Sequence, residues 1–220
     1  MGGTRKFLLN AVFLSAVSVA ARSVSVSFNA YVATRVGAEC TGLVSLVSSV
    51  ASLSVIIACA GVNIAVVRSV SAAIASCAAS GEDPTEKLRR TVRSAALYCL
   101  VFGVFTGGAV FSFSRFIASN LLGDERCLMS LRAFAASLPA ISLSSCLSGY
   151  FMGTGRIWKC SLCTLAAEAF KILFVAAGLV FIAPRGDDYA CLAIVGGGAA
   201  SEAASLFVAL LLFAAGNKKK

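Results

Sequence analysis

The chain has 220 residues, 59% of them hydrophobic and 13% charged, with no histidine, a formal net charge of +9 and a mean hydropathy of +0.90. One soluble core of this size cannot enclose so much apolar surface, so the solvent for most of it is lipid. The positive charge does not indicate a nucleic-acid partner, because the basic residues cluster at alternate ends of the apolar runs.

A helix needs about 20 mostly apolar residues to cross a bilayer. Six runs reach that length, roughly 7–33, 42–67, 94–117, 128–152, 158–182 and 189–213. They predict an all-α, polytopic membrane protein, organised as a single six-helix unit over 1–220. The first run follows TRK and imitates a secretory signal, but its apolar character resumes beyond Arg22 through VSVSFNAYVA, longer than a signal's core. It is read as a retained helix. The second begins near TGLVSLVSSV and is expected to continue past Arg68 into RSVSAAIASCAAS, ending at the SGEDPT turn. The third opens with EKLRRTVR and carries Gly103 and Gly107 at GxxxG spacing, which lets backbones approach closely. Pro139 lies near the centre of the fourth, where its missing amide hydrogen and its ring predict a kink. It is a candidate hinge; the plainer alternative is a packing bend. The end of that run, GYFMGTGR, lacks the GK[ST] and the preceding strand of a phosphate loop and reads as a helix end and turn. Three glycines at 196–198 in the sixth run mark a close-packing or bending site.

Counted by side, one face collects Arg5, Lys6, Arg68, Lys87, Arg89, Arg90, Arg93, Arg156, Lys159, Lys218, Lys219 and Lys220. The other receives Arg35, Arg115, Arg126 and Arg185, beside Glu39, Asp124, Glu125, Asp187 and Asp188. The positive-inside rule therefore predicts both termini in the cytoplasm of a bacterial cell, with the chain in its cytoplasmic membrane. Most of the nine cysteines fall inside apolar runs, where cysteine behaves as a small hydrophobe. Cys160 and Cys163 have CxxC spacing, but no second pair and no histidine completes a tetrahedral site, so no metal is expected. No nucleophile and base arrangement is recognisable, and no enzyme or cofactor is expected.

Four charges fall inside the runs at one depth. Arg22, Glu168, Lys171 and Glu202 all lie within roughly 4 Å of the midplane when each run is centred in the bilayer at about 1.5 Å per residue. Each would cost at least about 2.5 kcal/mol facing lipid, so all four are expected to turn inward. Glu168 and Lys171 are three apart and can pair locally, leaving Arg22 and Glu202 as a cross-helix pair. The bland reading is a set of ion pairs that fixes packing. The sharper reading is a site for an anionic headgroup, whose attraction changes when a carboxyl group takes up a proton; coupling to protons or to sodium ions is compatible with it. Asn29 and Asn63 are two further polar positions, each also readable as an interhelical hydrogen bond.

The ordered set ARSVSVSFNAYVATRVGAECTGL, AGVNIAVVRSVS, LSGYFMGTGR, EAFKI and CLAIVGGGAASE resembles the stage V sporulation protein B group of polysaccharide-biosynthesis proteins. That group belongs to the multidrug/oligosaccharidyl-lipid/polysaccharide (MOP) flippase superfamily, which includes MATE-like exporters. The resemblance implies an alternating-access transporter of lipid-linked saccharides or peptidoglycan precursors. It also implies substrate-binding roles for Arg22 and for Arg68, whose plainer role is a topology anchor; Asn29 and Asn63 are substrate-binding candidates on their polarity alone. Members of the family have two six-helix lobes around a central cavity, whereas this chain holds the pattern of the first lobe. It is expected to be a fragment of a longer gene, or else a lobe that needs a second. The competing readings are a cation-coupled multidrug exporter lobe, against which Arg22 and Lys171 weigh, and a non-transporting membrane scaffold.

Overall fold

Runs of Ala, Val, Leu and Ser with three prolines leave the helix as the way to satisfy backbone polar groups in lipid. The structure, a computed structural model, describes residues 2–59, 61–80, 84–181 and 187–217, with side chains described in those ranges except at 2–11, 13–14, 78–80, 84–87, 187–188 and 215–217. Among the described residues there is no strand. The helices are α1 (Gly2–Val36), α2 (Ala38–Ala58), α3 (Val62–Ser80), α4 (Pro84–Phe116), α5 (Cys127–Gly153), α6 (Ile157–Phe181) and α7 (Asp187–Asn217), with a π-helical turn at Ile117–Leu122. Among the described residues, five segments are long and apolar enough to cross a membrane: Ala38–Cys77, Leu88–Leu122, Cys127–Gly153, Ile157–Phe181 and Tyr189–Ala214. The protein is an all-α, polytopic membrane protein. The run at 7–33 is helical within α1 and is not among those five.

The expected continuous helix through Arg68 is broken. α2 closes with the Cys59 amide donating to the Val55 carbonyl at 2.8 Å. Gly61 then takes a left-handed backbone (φ 71°) before α3 begins at Val62. Glycine occupies that region without a Cβ penalty, so it stops the helix where hydropathy alone reads on. Positions 81–83 of the SGEDPT turn lie outside the described residues.

α5 is the axis of the bundle and touches α2, α3, α4, α6 and α7. Its buried positions include Ser130, Ala135, Ser137, Ser142, Cys146 and Gly149, small enough to admit neighbours on several sides. At the α4 crossing, a Cβ on Gly103 would strike the Ser142 hydroxyl and lie 2.9 Å from the Pro139 Cα. A Cβ on Gly107 would lie 2.8 Å from the Ala135 carbonyl oxygen. That carbonyl is the one that proline at 139 leaves without its helical donor. The Ser142 hydroxyl is shared between the Cys99 carbonyl of α4 at 2.9 Å and the Pro139 carbonyl at 3.0 Å. The GxxxG pair and Pro139 are thus two sides of one contact, and α5 stays helical through it.

Two cations tie helices together. Arg132 on α5 donates from Nε to the Ser114 hydroxyl of α4 at 3.2 Å and sits 5.3 Å from the Phe111 ring centre. Lys159, 6% exposed, donates from Nζ to the Leu212 carbonyl of α7 at 2.7 Å, with the Phe151 and Trp158 rings at 5.6 and 5.7 Å. Among the three glycines at 196–198, Gly197 makes the close approach, its would-be Cβ 3.0 Å from the Val175 amide nitrogen; the other two have open space.

Candidate functional site

α1 packs on α6 and α2 through Ala21, Ser25, Phe28 and Val32, a stripe at the three-to-four spacing of one helix face. That stripe decides where the charges go. A residue advances about 100° around the helix, so Arg22 points about 100° away from Ala21 and about 60° from Ser25. Its side chain is exposed and lines a groove on the outer face of α1 with Ser18, Val19, Ser23, Val26 and Ser27.

The other three of these charges converge. Glu168 and Lys171 of α6 and Glu202 of α7 line one open cavity of about 710 Å³ between α1, α2, α5, α6 and α7. Asn29 and Val32 supply its α1 wall, and Gly198, without a side chain, helps leave the space open on α7. Lys171 reaches across to α1, with Nζ 3.4 Å from the Ser25 hydroxyl. Glu168 keeps one carboxylate oxygen, Oε2, buried without a hydrogen-bond partner among the described residues. Glu202 is half-buried and feels both Glu168 and Lys171 electrostatically, and the Cys59 thiol at the end of α2 in turn feels Glu202.

Two expected pairings are corrected. No ion pair within 4.0 Å joins Arg22 to Glu202, because the α1 seam turns the guanidinium outward. Glu168 and Lys171 do not close a local pair either; the ammonium goes to Ser25. Among the described residues the ion pair is between Arg126 and Glu39 at 2.8 Å, at the end of the bundle where α2 and α5 begin.

The remaining candidates are dispersed. Asn63 sits at the start of α3 against α5, where a Cβ on Gly149 would lie 3.0 Å from its Oδ1, so it belongs to a helix contact outside the cavity. Arg68 is exposed on α3 and does not line the cavity. Pro139 is enclosed by α4, while its neighbours Ser137 and Ile141 reach the cavity wall.

The α2 wall, with Thr41, Ser48 and Ser52, was not anticipated from the sequence. Its hydroxyls donate to carbonyls of their own helix: Thr41 to Gly37 at 2.7 Å and Ser52 to Ser48 at 2.8 Å. They therefore present acceptor lone pairs to the cavity, as Ser201 does after donating to Gly198 at 2.6 Å. The serine spacing in SLVSSVAS at 45–52 was the available signal. With two carboxylates, one ammonium and acceptor oxygens, the ionised cavity carries a formal charge of −1 and suits a small cation or a proton better than a bare anion.

Over 184 residues the chain is 26% identical to stage V sporulation protein B of Bacillus subtilis (strain 168), an alignment that covers 84% of this chain and 34% of that protein. The chain thus spans about a third of the length of the curated relative it matches. No family model matches it, and no solved structure does.

Proposed function

We propose that this chain is the N-terminal lobe of an alternating-access flippase for lipid-linked oligosaccharide or peptidoglycan precursors. In this reading it lies in a bacterial cytoplasmic membrane with both termini inside. The observation that carries the proposal is the outward-facing strip of Arg22, Ser23 and Ser27 on α1. A guanidinium at mid-depth facing lipid costs at least about 2.5 kcal/mol, so that face needs a polar neighbour, which a second six-helix lobe enclosing a wet central cavity supplies. The likeness to stage V sporulation protein B over most of this chain, and a third of that protein, supports a longer assembly.

Within it, Arg22 grips the anionic headgroup through its planar donor fork. The chamber of Glu168, Lys171 and Glu202 sits behind α1 and takes up the coupling proton or sodium ion. Ser25 connects the two, since it receives Lys171 and stands three residues from Arg22. Pro139 is the pivot of α5, and Asn29 follows the cavity wall as α1 moves. Arg68 and Asn63 serve topology and packing.

The test uses the two-lobe assembly in vesicles and follows accessibility of a lipid-linked precursor headgroup at the far leaflet, with insertion checked separately. Arg22→Gln should nearly abolish flipping and Arg22→Lys should impair it, while Glu202→Gln should slow it and flatten its dependence on the ion gradient. Normal flipping by inserted Arg22→Gln protein removes Arg22 from the mechanism. The acidic balance of the chamber favours one second reading, cation-coupled drug export: gradient-driven release of a cationic dye, lost in Glu202→Gln and untouched by Arg22→Gln, would establish it instead.

A further inference from the structure

A second polar concentration lies outside the chamber, on α4, which does not line it. The first turns of α4 place Arg89, Arg90 and Arg93 beside a groove of about 770 Å³ that runs between α4, α5 and α7. Its remaining lining is apolar: Val92 and Ala96 of α4, Leu143 and Leu147 of α5, Leu210 and Phe213 of α7. Among the described residues no carboxylate lines it. Among the described residues none of the three guanidiniums has an ion-pair or hydrogen-bond partner.

Depth gives this arrangement a meaning. Pro139 is near the middle of α5, and α4 crosses it at Gly103. Arg93 precedes Gly103 by ten residues, about 15 Å of helix, which is half of the roughly 30 Å hydrocarbon thickness. The guanidiniums therefore stand at headgroup level, and the leucines run from them toward the bilayer centre. A topology anchor needs only positive charge near the surface; it does not need an apolar trough leading away from it.

We infer that this groove holds one anionic phospholipid of the leaflet in which α4 begins. Its phosphodiester lies on Arg89, Arg90 and Arg93, and one acyl chain lies along Leu143, Leu147, Leu210 and Phe213. Charge complementarity selects the headgroup, because a basic pocket between membrane helices suits an anionic lipid. The trough adds chain contact that a free phosphate cannot use. This lipid is a resident of the lobe and bridges α4 to α7; the inference does not depend on what the lobe transports.

The full chain, purified in an uncharged detergent, is titrated with fluorescent short-chain phosphatidylglycerol and, separately, with the matching phosphatidylcholine. Phosphatidylglycerol should bind at least about tenfold more tightly, since both lipids offer a phosphodiester but the choline cation of phosphatidylcholine neutralises its headgroup and is repelled by three guanidiniums. Glycerol phosphate, which has the headgroup chemistry without chains, should not displace it at equal concentration. Arg89→Gln combined with Arg93→Gln should erase the preference; the single Arg93→Gln variant, expected to lose it several-fold, carries the test if the double variant does not insert. Arg68→Gln removes a charge outside the groove, on α3 where the adjacent Ser69 shares a pocket with Arg90, and should keep the preference. Leu210→Trp should weaken both lipids by filling the trough. Equal binding of the two lipids, displacement by glycerol phosphate, or equal losses in Arg68→Gln and Arg93→Gln would each overturn the inference, as would unaltered binding to Leu210→Trp.

Discussion

α5 and α1 are both long apolar helices studded with small polar residues, and the bundle treats them in opposite ways. α5 is surrounded, and its serines, cysteines and glycines are where other backbones come close. α1 touches the bundle along one seam and leaves Arg22, Ser23 and Ser27 on its outer face. The same residue types therefore mean packing in one helix and an unfinished surface in the other. What separates them is the number of neighbours, which composition does not encode. α5 is where the bundle is held together, while the outer face of α1 turns Arg22 away from the other helices.

The sharpest way to break that comparison is to fill the α4 and α5 crossing. Gly103→Val places its Cβ on the Ser142 hydroxyl and against the Pro139 backbone. It should destabilise the lobe by about 1–3 kcal/mol or more, read as a lowered denaturation midpoint in micelles. Gly108→Val, five residues along the same helix, meets nothing within 4 Å and should be nearly silent. Equal losses from the two would mean that the crossing is not where stability lies.

A smaller effect is expected in the chamber. A double-mutant cycle on Lys171→Ala and Glu202→Ala should show coupling of about 0.5–3 kcal/mol, because opposite charges that line one cleft and feel each other electrostatically are not independent. The same cycle on Arg22 and Glu202 should be additive within about 0.5 kcal/mol, since α1 turns that guanidinium away. Coupling of Arg22 to Glu202 and not of Lys171 would reverse the assignment of inner and outer charges. Smallest of all is the ion pair between Arg126 and Glu39, with side chains 49% and 69% exposed. Glu39→Gln should cost under about 1 kcal/mol and less still at high salt; a larger loss would show that the end of the bundle is more enclosed than its exposure indicates.

How much of this was legible can be judged residue by residue. The helical class and the close approach at Gly103 and Gly107 follow from local rules that act within one helix. The break at Gly61 was also local, yet it lay inside an unbroken apolar stretch, and hydropathy outvoted the one glycine that needed a positive φ. The fate of Arg22 was not legible. Depth follows from counting residues, but facing requires knowing which stripe of α1 meets α6, and Ala21 and Ser25 give no strong apolar signal of it. Lys159 reads as a surface topology charge by position and is instead buried, because the Leu212 carbonyl and the Phe151 ring come to it from other helices and the adjacent Trp158 covers it.

That lysine has a consequence for how the protein is made. Its ammonium enters the membrane with α6, but the carbonyl that receives it belongs to Leu212, 53 residues later in synthesis. Until α7 is in place, an ammonium so near the start of α6 is solvated by water and headgroups, so the bundle must exchange those partners for the Leu212 carbonyl as it closes. The contact is thus among the last to form along the chain and ties its final helix to the beginning of α6.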